Sequence, residues 1–384
     1  MTIPQRLKVV TVYGTRPEAI KVAPLVKALG ADKDIESITV STGQHREMLD
    51  QVNGMFGITP DYDLGIMRPG QGLNQIIARA IEGLAPVLEK EKPDAVVVQG
   101  DTSTAMAAAI AAFNEKIKVV HLEAGLRTGN LHSPFPEEGN RKIIGQISSL
   151  HLAPTETSKQ NLIAENCCED RIIVVGNTVI DALLEAATWN TSFEDARLEE
   201  LSSTSNRIVM VTTHRRENLG VMNSIGAALN DLATKYPDIV FVLPAHLNPK
   251  VRRAILPEIE GRDNIVITDP LPYDQFTKLM ARADIVLTDS GGVQEEAPSL
   301  GKPVLVMRKD TERPEAITAG TVKLIGTDER TIFAEACHLI DDSAAYEEMA
   351  NAVNPYGDGR AAQRSVGAIK NLFGFGEKPT EFQA

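Results

Sequence analysis

Only three cysteines occur in 384 residues, Cys167, Cys168 and Cys337, and none is spaced as CxxC, which excludes both a disulfide framework and a zinc site. The vicinal pair Cys167-Cys168 reads as core or surface filler, and a reducing cytoplasm fits it. A basic excess is missing too, with 52 acidic residues against 39 basic ones and a net charge of -13. That balance argues against a general nucleic-acid or membrane-surface binder, although a local phosphate site can oppose the global charge. No apolar run approaches the roughly 18 residues of a membrane span, and no signal peptide is expected before the first strand. Internal repeats, low-complexity tracts and a GxGxxG dinucleotide fingerprint are also absent from the sequence. A cytoplasmic protein with neither metal nor nicotinamide is the expectation.

The chain is longer than a single core usually grows, so two domains are expected. Short β-branched runs alternate with helical stretches. In the first half they are Leu7 to Tyr13, Ser37 to Ser41, Ala95 to Val98, Val119 to Leu122 and Ile172 to Val175. The second half offers Ile208 to Val211, Ile239 to Leu243, Ile265 to Ile267, Ile285 to Leu287, Val304 to Met307 and Val322 to Ile325. These runs are almost continuously apolar rather than alternating, as in strands buried on both faces. The pattern predicts an α/β fold with two open parallel sheets. A boundary is expected after Gly176, with Asn190 to Asn206 as a connector. Beyond the breaker Asn354 to Gly359, a last helix carries Val366, Ile369 and Phe373.

Ligands of such sheets bind beyond the carboxyl ends of the strands. There the sequence turns polar. In Asp289-Ser290-Gly291-Gly292 a strand ends, two glycines expose backbone N–H groups and a helix begins, which makes an anion site. A tight turn with Ser290 as N-cap explains those residues equally well. Glu296, one to two turns in, suits the two hydroxyls of a ribose, and the set favours a nucleoside diphosphate. Arg16 and Lys21 flank a helix start, where cations oppose the dipole unless a phosphate is present. Asp101, Glu123 and Glu137 are candidate acid–base groups. Each also has a plainer role: Asp101 as an N-cap, Glu137 as a dipole complement, Glu123 as a strand-end acid needing a partner. His214 follows a strand of the second half and could face them, or be ordinary structure.

With these residues in view, the sequence resembles the non-hydrolysing UDP-N-acetylglucosamine 2-epimerases of bacteria. The resemblance runs through Gly14 to Lys21, Gln44 to Leu49, Gln99 to Thr102, His121 to Thr128, Pro136 to Glu138, His214 to Asn218, Asp289 to Met307, Thr311 to Glu315 and Asn354 to Gly359. It implies two Rossmann-like domains of the glycosyltransferase-B type, residues 1–176 plus 365–384 and residues 177–364, with the active site in the interdomain cleft. It also implies a homodimer, no cofactor, and interconversion of UDP-GlcNAc and UDP-ManNAc for cell-envelope glycans. Asp101, Glu123, Glu137 and His214 would surround the sugar. Arg16, Lys21, Ser290, Gly291, Gly292, Glu296 and Arg313 would hold UDP, with Leu271 and Phe276 at the uracil. Leu271 stands where a familiar member has Gln. The loop Gly14-Thr15-Arg16-Pro17-Glu18 matches the plain UDP-GlcNAc group. A second, activating UDP-GlcNAc would lie by Gln44, Glu47, Gly70, Glu137, Arg215 and His246, weakened because Gly70 replaces an arginine and Glu47 a glutamine. A glycosyltransferase of the same architecture and a non-catalytic UDP-sugar sensor are the rival readings.

Overall fold

The computed structural model describes residues 6–43 and 46–384, with Arg46 to Met48 and Arg216 described in backbone only. The first sheet contains β1 (Leu7–Tyr13), β2 (Ile35–Ser41), β3 (Tyr62–Asp63), β4 (Ala95–Gln99), β5 (Lys118–Leu122), β6 (Leu150–Ala153) and β7 (Ile172–Val174). The second contains β8 (Ile208–Thr212), β9 (Val240–Pro244), β10 (Ile265–Thr268), β11 (Ile285–Thr288), β12 (Val304–Val306) and β13 (Val322–Leu324). Every pairing is parallel. The strand orders are β3-β2-β1-β4-β5-β6-β7 and β10-β9-β8-β11-β12-β13. Each order reverses once, between β1 and β4 and between β8 and β11, and such a reversal opens a crevice at the strand ends. These are two Rossmann-like α/β sheets.

The apolar runs become central strands because both faces are covered. Val10, Val12, Val96 and Val98 pack under the helix Ser103–Asn114, whose alanines 105, 108, 109, 111 and 112 let its backbone approach the sheet closely. In the second unit Val209, Val211, Leu229, Phe241, Leu287 and Leu305 share one core. Each such fully buried aliphatic contributes about 1.5–3 kcal/mol.

The compact units are Met1–Ala182 with Tyr356–Gln383, and Leu183–Pro355. The divisions fall later than the expected residue 176 and earlier than 365, and the two chain crossings are bonded to each other within the first unit. Asn177 N–H donates to the Tyr356 carbonyl at 2.7 Å, and Asp181 accepts the amides of Ala361 and Ala362 at the start of the last helix. That helix runs Ala361–Leu372, burying Val366 and Ile369 and leaving Phe373 as its cap. Residues 190–206 are not a plain connector: Asp195 caps a helix, Ala196–Ser202, that buries Leu198 and Leu201. The short strands β3 and β6 go unannounced in the sequence, β3 for having two residues and β6 for enclosing the buried His151. No described helix is long and apolar enough to cross a membrane.

Gly125 ends the β5 loop at φ +97, and a Cβ there would lie 2.2 Å from the Ser158 carbonyl oxygen. Gly125→Ala is therefore expected to cost about 2 kcal/mol or more. Urea unfolding of the two proteins checks this, and coincident midpoints would contradict the packing.

Candidate active site

The two sheet reversals gather the polar loops. In the first unit these are the turns after β1 and β4. Thr15 caps the helix Arg16–Ala31 in a capping box with Glu18. Glu18 is buried, accepts the Gly14 and Thr15 amides at 2.9 and 2.7 Å, and also accepts the Thr102 hydroxyl at 2.6 Å. It thereby ties one turn to the other, and burial raises its carboxyl above the ordinary range. Thr102, not Asp101, caps the helix Ser103–Asn114, accepting the Ala105 amide. Asp101 is left for other work.

Glu123 follows β5 with a left-handed backbone, φ 60, which a non-glycine residue adopts at a cost of roughly 1–2 kcal/mol. The conformation turns its carboxylate inward, where Lys21 Nζ reaches both oxygens at 2.6 Å and Asn177 donates at 3.2 Å. The Gln99 side-chain amide donates to it as well. Asp101 is paired with Arg141, whose Nε and Nη2 lie 2.8 and 2.6 Å from Oδ2, while Asn140 holds its carbonyl. Glu137 opens the same helix, Glu137–Ile147. Its Oε2 is enclosed without a hydrogen-bond partner among the described residues. Asp101 and Glu123 thus lie past the ends of β4 and β5, each matched by a cation, and Glu137 stands at the start of the helix that carries Arg141, so this end of the sheet is not purely acidic. Beneath it, burial pushes His121 down to about 4, so the neutral ring donates from Nε2 to the Gly100 carbonyl at 2.7 Å.

In the second unit the loops after β8 and β11 meet around Asp289. This wholly buried carboxylate accepts the Thr213 hydroxyl, the His214 and Arg215 amides and the Asn218 side chain, at 2.9 to 3.1 Å. His214 stacks on His246 with ring centroids 5.8 Å apart. Burial lowers the His214 pKa, against the raising influence of Asp289. Ser290 occupies the N-cap position of the short helix Gly291–Glu296, yet its hydroxyl makes no capping bond. The hydroxyl is available to a ligand beside the Gly291 and Gly292 amides. The Arg313 guanidinium lies against Gly291, where a Cβ would be 2.8 Å from Nη1. Glu296 is buried one turn on. Leu271 lines a hollow of about 350 Å³ with Arg252, Thr268 and Gln275, and half-buried Phe276 follows in the helix Tyr273–Arg282.

Arg16, half-buried, stands at the first turn of its helix. Gly70 lies in an exposed turn at φ +72 with open space around it. Gln44 is outside the described residues, as is the side chain of Glu47. Sequence reasoning passes over Gln99, Arg141 and Asn177 as site residues. A signal existed for Arg141, which lies one helical turn beyond Glu137 and Glu138 and pairs with Glu138 as well.

The profile of the family described as UDP-N-acetylglucosamine 2-epimerase matches residues 27–370. The chain belongs to that family. It is 52% identical over 371 residues to the UDP-N-acetylglucosamine 2-epimerase of Escherichia coli K12, covering 95% of this chain and 99% of that protein. The crystal structure of a 2-epimerase homologue from Listeria monocytogenes superposes with a TM-score of 0.93 at 44% identity, covering 99% of this chain and all of that one. That of the Neisseria meningitidis UDP-GlcNAc 2-epimerase bound to UDP-GlcNAc is similar at 47% identity and TM-score 0.84, covering 95% of this chain and all of that one. The chain is accordingly an isomerase with UDP-N-acetylglucosamine 2-epimerase function.

Proposed function

We propose that the chain interconverts UDP-GlcNAc and UDP-ManNAc without hydrolysis, by eliminating UDP and adding it back. The observation that supports the reading is Glu123, a buried carboxylate in a strained backbone at the end of β5; Asp101, after β4, and Glu137, at a helix start, are the further carboxylates of the same unit. C2 of the sugar has no adjacent ketone, so its proton is poorly acidic. A carboxylate takes that proton as the C1–O bond breaks, the electron pair leaving on the diphosphate oxygen. A C1–C2 double bond forms, giving a 2-acetamidoglucal. The diphosphate oxygen then re-adds to C1 while a proton arrives on the other face of C2. Two faces call for two proton carriers, which several carboxylates supply.

The second unit supplies the leaving-group site. Ser290, the Gly291 and Gly292 amides and Arg313 stabilise the negative charge that develops on UDP, and Glu296 takes the ribose. UDP-GlcNAc in the Neisseria relative supports this choice of ligand.

Incubation with UDP-GlcNAc alone tests the proposal. UDP-ManNAc should accumulate with no acceptor present and no net release of UDP. Binding without turnover would favour a sensor, and transfer dependent on an acceptor would favour a glycosyltransferase. A second substrate molecule at Arg215 and His246 would show as acceleration of UDP-ManNAc conversion by trace UDP-GlcNAc. Unassisted, hyperbolic conversion of pure UDP-ManNAc would remove that site from the account.

A further inference from the structure

The loop 308–313 of the second unit carries a charge arrangement that epimerisation chemistry does not call for. Glu312 is ringed by arginines. Its Oε2 lies 2.7 Å from Arg308 Nη1, and its Oε1 lies 2.9 Å from Arg215 Nη2 and 3.1 Å from Arg313 Nη1. Arg308 is almost wholly buried and is steadied by Glu217 at 2.8 Å, and Arg313 is steadied by Glu295 at 2.6 Å. Three guanidinium groups converging on one pair of oxygens form the fork geometry that recognises phosphate as readily as carboxylate. Glu312 keeps its charge there: burial pushes its carboxyl up, but its own backbone amide, Arg308, Arg313 and Arg215 together hold it down at about 2.

Two of these arginines border the proposed nucleotide site. Arg313 lies against Gly291 at the helix start, and the Arg215 amide is bonded to Asp289, the residue before Ser290. We infer that Glu312 is an internal stand-in for a ligand phosphate, pairing with Arg313 and Arg215 and yielding them when a diphosphate arrives. The inference rests on the UDP site proposed above and adds a residue that sets its affinity. The carboxylate keeps the arginines ordered and fends off adventitious anions. In exchange, the bound nucleotide is held less tightly than the bare arginines would hold it, which suits an enzyme that must release UDP and recapture it.

Competition and simple structural support predict opposite signs. If Glu312 competes with the ligand, Glu312→Gln removes the competing charge and should tighten UDP binding by roughly twofold to fivefold, the scale of one partly exposed ion pair. Inorganic pyrophosphate should gain in the same direction. Glu217→Gln, which touches Arg308 alone among these arginines, should change neither. The titrations are made calorimetrically on the full chain, with circular dichroism confirming that each variant is folded. Unchanged or weaker UDP binding by folded Glu312→Gln would overturn the inference. Failure of the wild-type protein to bind UDP would instead remove the nucleotide site itself. A crystal structure of the wild-type protein with UDP gives an independent answer. The 3.1 Å contact between Glu312 and Arg313 should open beyond hydrogen-bond reach, and an intact contact beside bound diphosphate would overturn the inference.

Discussion

Glu123→Gln is expected to lower kcat by roughly a hundredfold to ten-thousandfold, the loss typical of a removed acid–base group, with little change in UDP affinity. The substitution keeps shape and removes charge. A glutamine can hold the left-handed turn at about the strain of the glutamate, and its amide oxygen can still accept from Lys21 or Asn177. It cannot take a proton from C2. Asp101→Asn and Glu137→Gln belong to the same test: Asp101 has its cation in Arg141, while Glu137 presents an oxygen with no partner among the described residues. Steady-state kinetics with separate UDP titrations distinguish the outcomes. Normal turnover in all three variants would remove these carboxylates from the chemistry. Loss of UDP binding in step with turnover would move them to the nucleotide.

Asp289→Ala should be the most damaging single change in the second unit. The carboxylate is wholly buried and is the shared acceptor for the Thr213 hydroxyl, the amides of His214 and Arg215 and the Asn218 side chain. Each buried donor left without a partner costs about 1–3 kcal/mol. The four are coupled through one loop and part of it can relax toward water, so the expected loss is about 3–5 kcal/mol, comparable to breaking a buried ion pair. UDP binding should fall as well, because the loop that carries His214 and the turn that presents Ser290 are fastened at this point. Asp289→Asn should fall between, since an amide oxygen can keep some of the donors. Urea unfolding followed by far-ultraviolet circular dichroism reads the effect. An unshifted transition in the alanine variant would mean that the loop has other support.

Much of this architecture is legible in the sequence because parallel strands buried on two faces leave an unmistakable mark. The runs at β1, β4 and β8 are mostly apolar and almost wholly buried, and the polar turns after them coincide with the reversals of strand order. What escapes is set by contacts distant in the chain. Nothing local announces that Asn177 will reach Glu123 or that Arg141 will claim Asp101, since those pairs form only once β4, β5 and the helix Glu137–Ile147 are packed. The N-cap at Thr102 rather than Asp101 is a one-residue difference that propensity cannot resolve, because both types cap well. The unit boundaries move for a similar reason: hydrogen bonds join the Asn177–Asp181 segment to the Tyr356–Ala362 segment, and composition carries no trace of them.

The central claim is that the C2 proton leaves and a proton returns from a carboxylate in exchange with solvent. It is tested most directly by turning over UDP-GlcNAc in heavy water and recovering both nucleotide sugars. The account predicts deuterium at C2 of UDP-GlcNAc and UDP-ManNAc alike, incorporated as equilibrium is approached. Epimerisation with the original hydrogen retained at C2 in both sugars would contradict it and would require a hydride-carrying route instead.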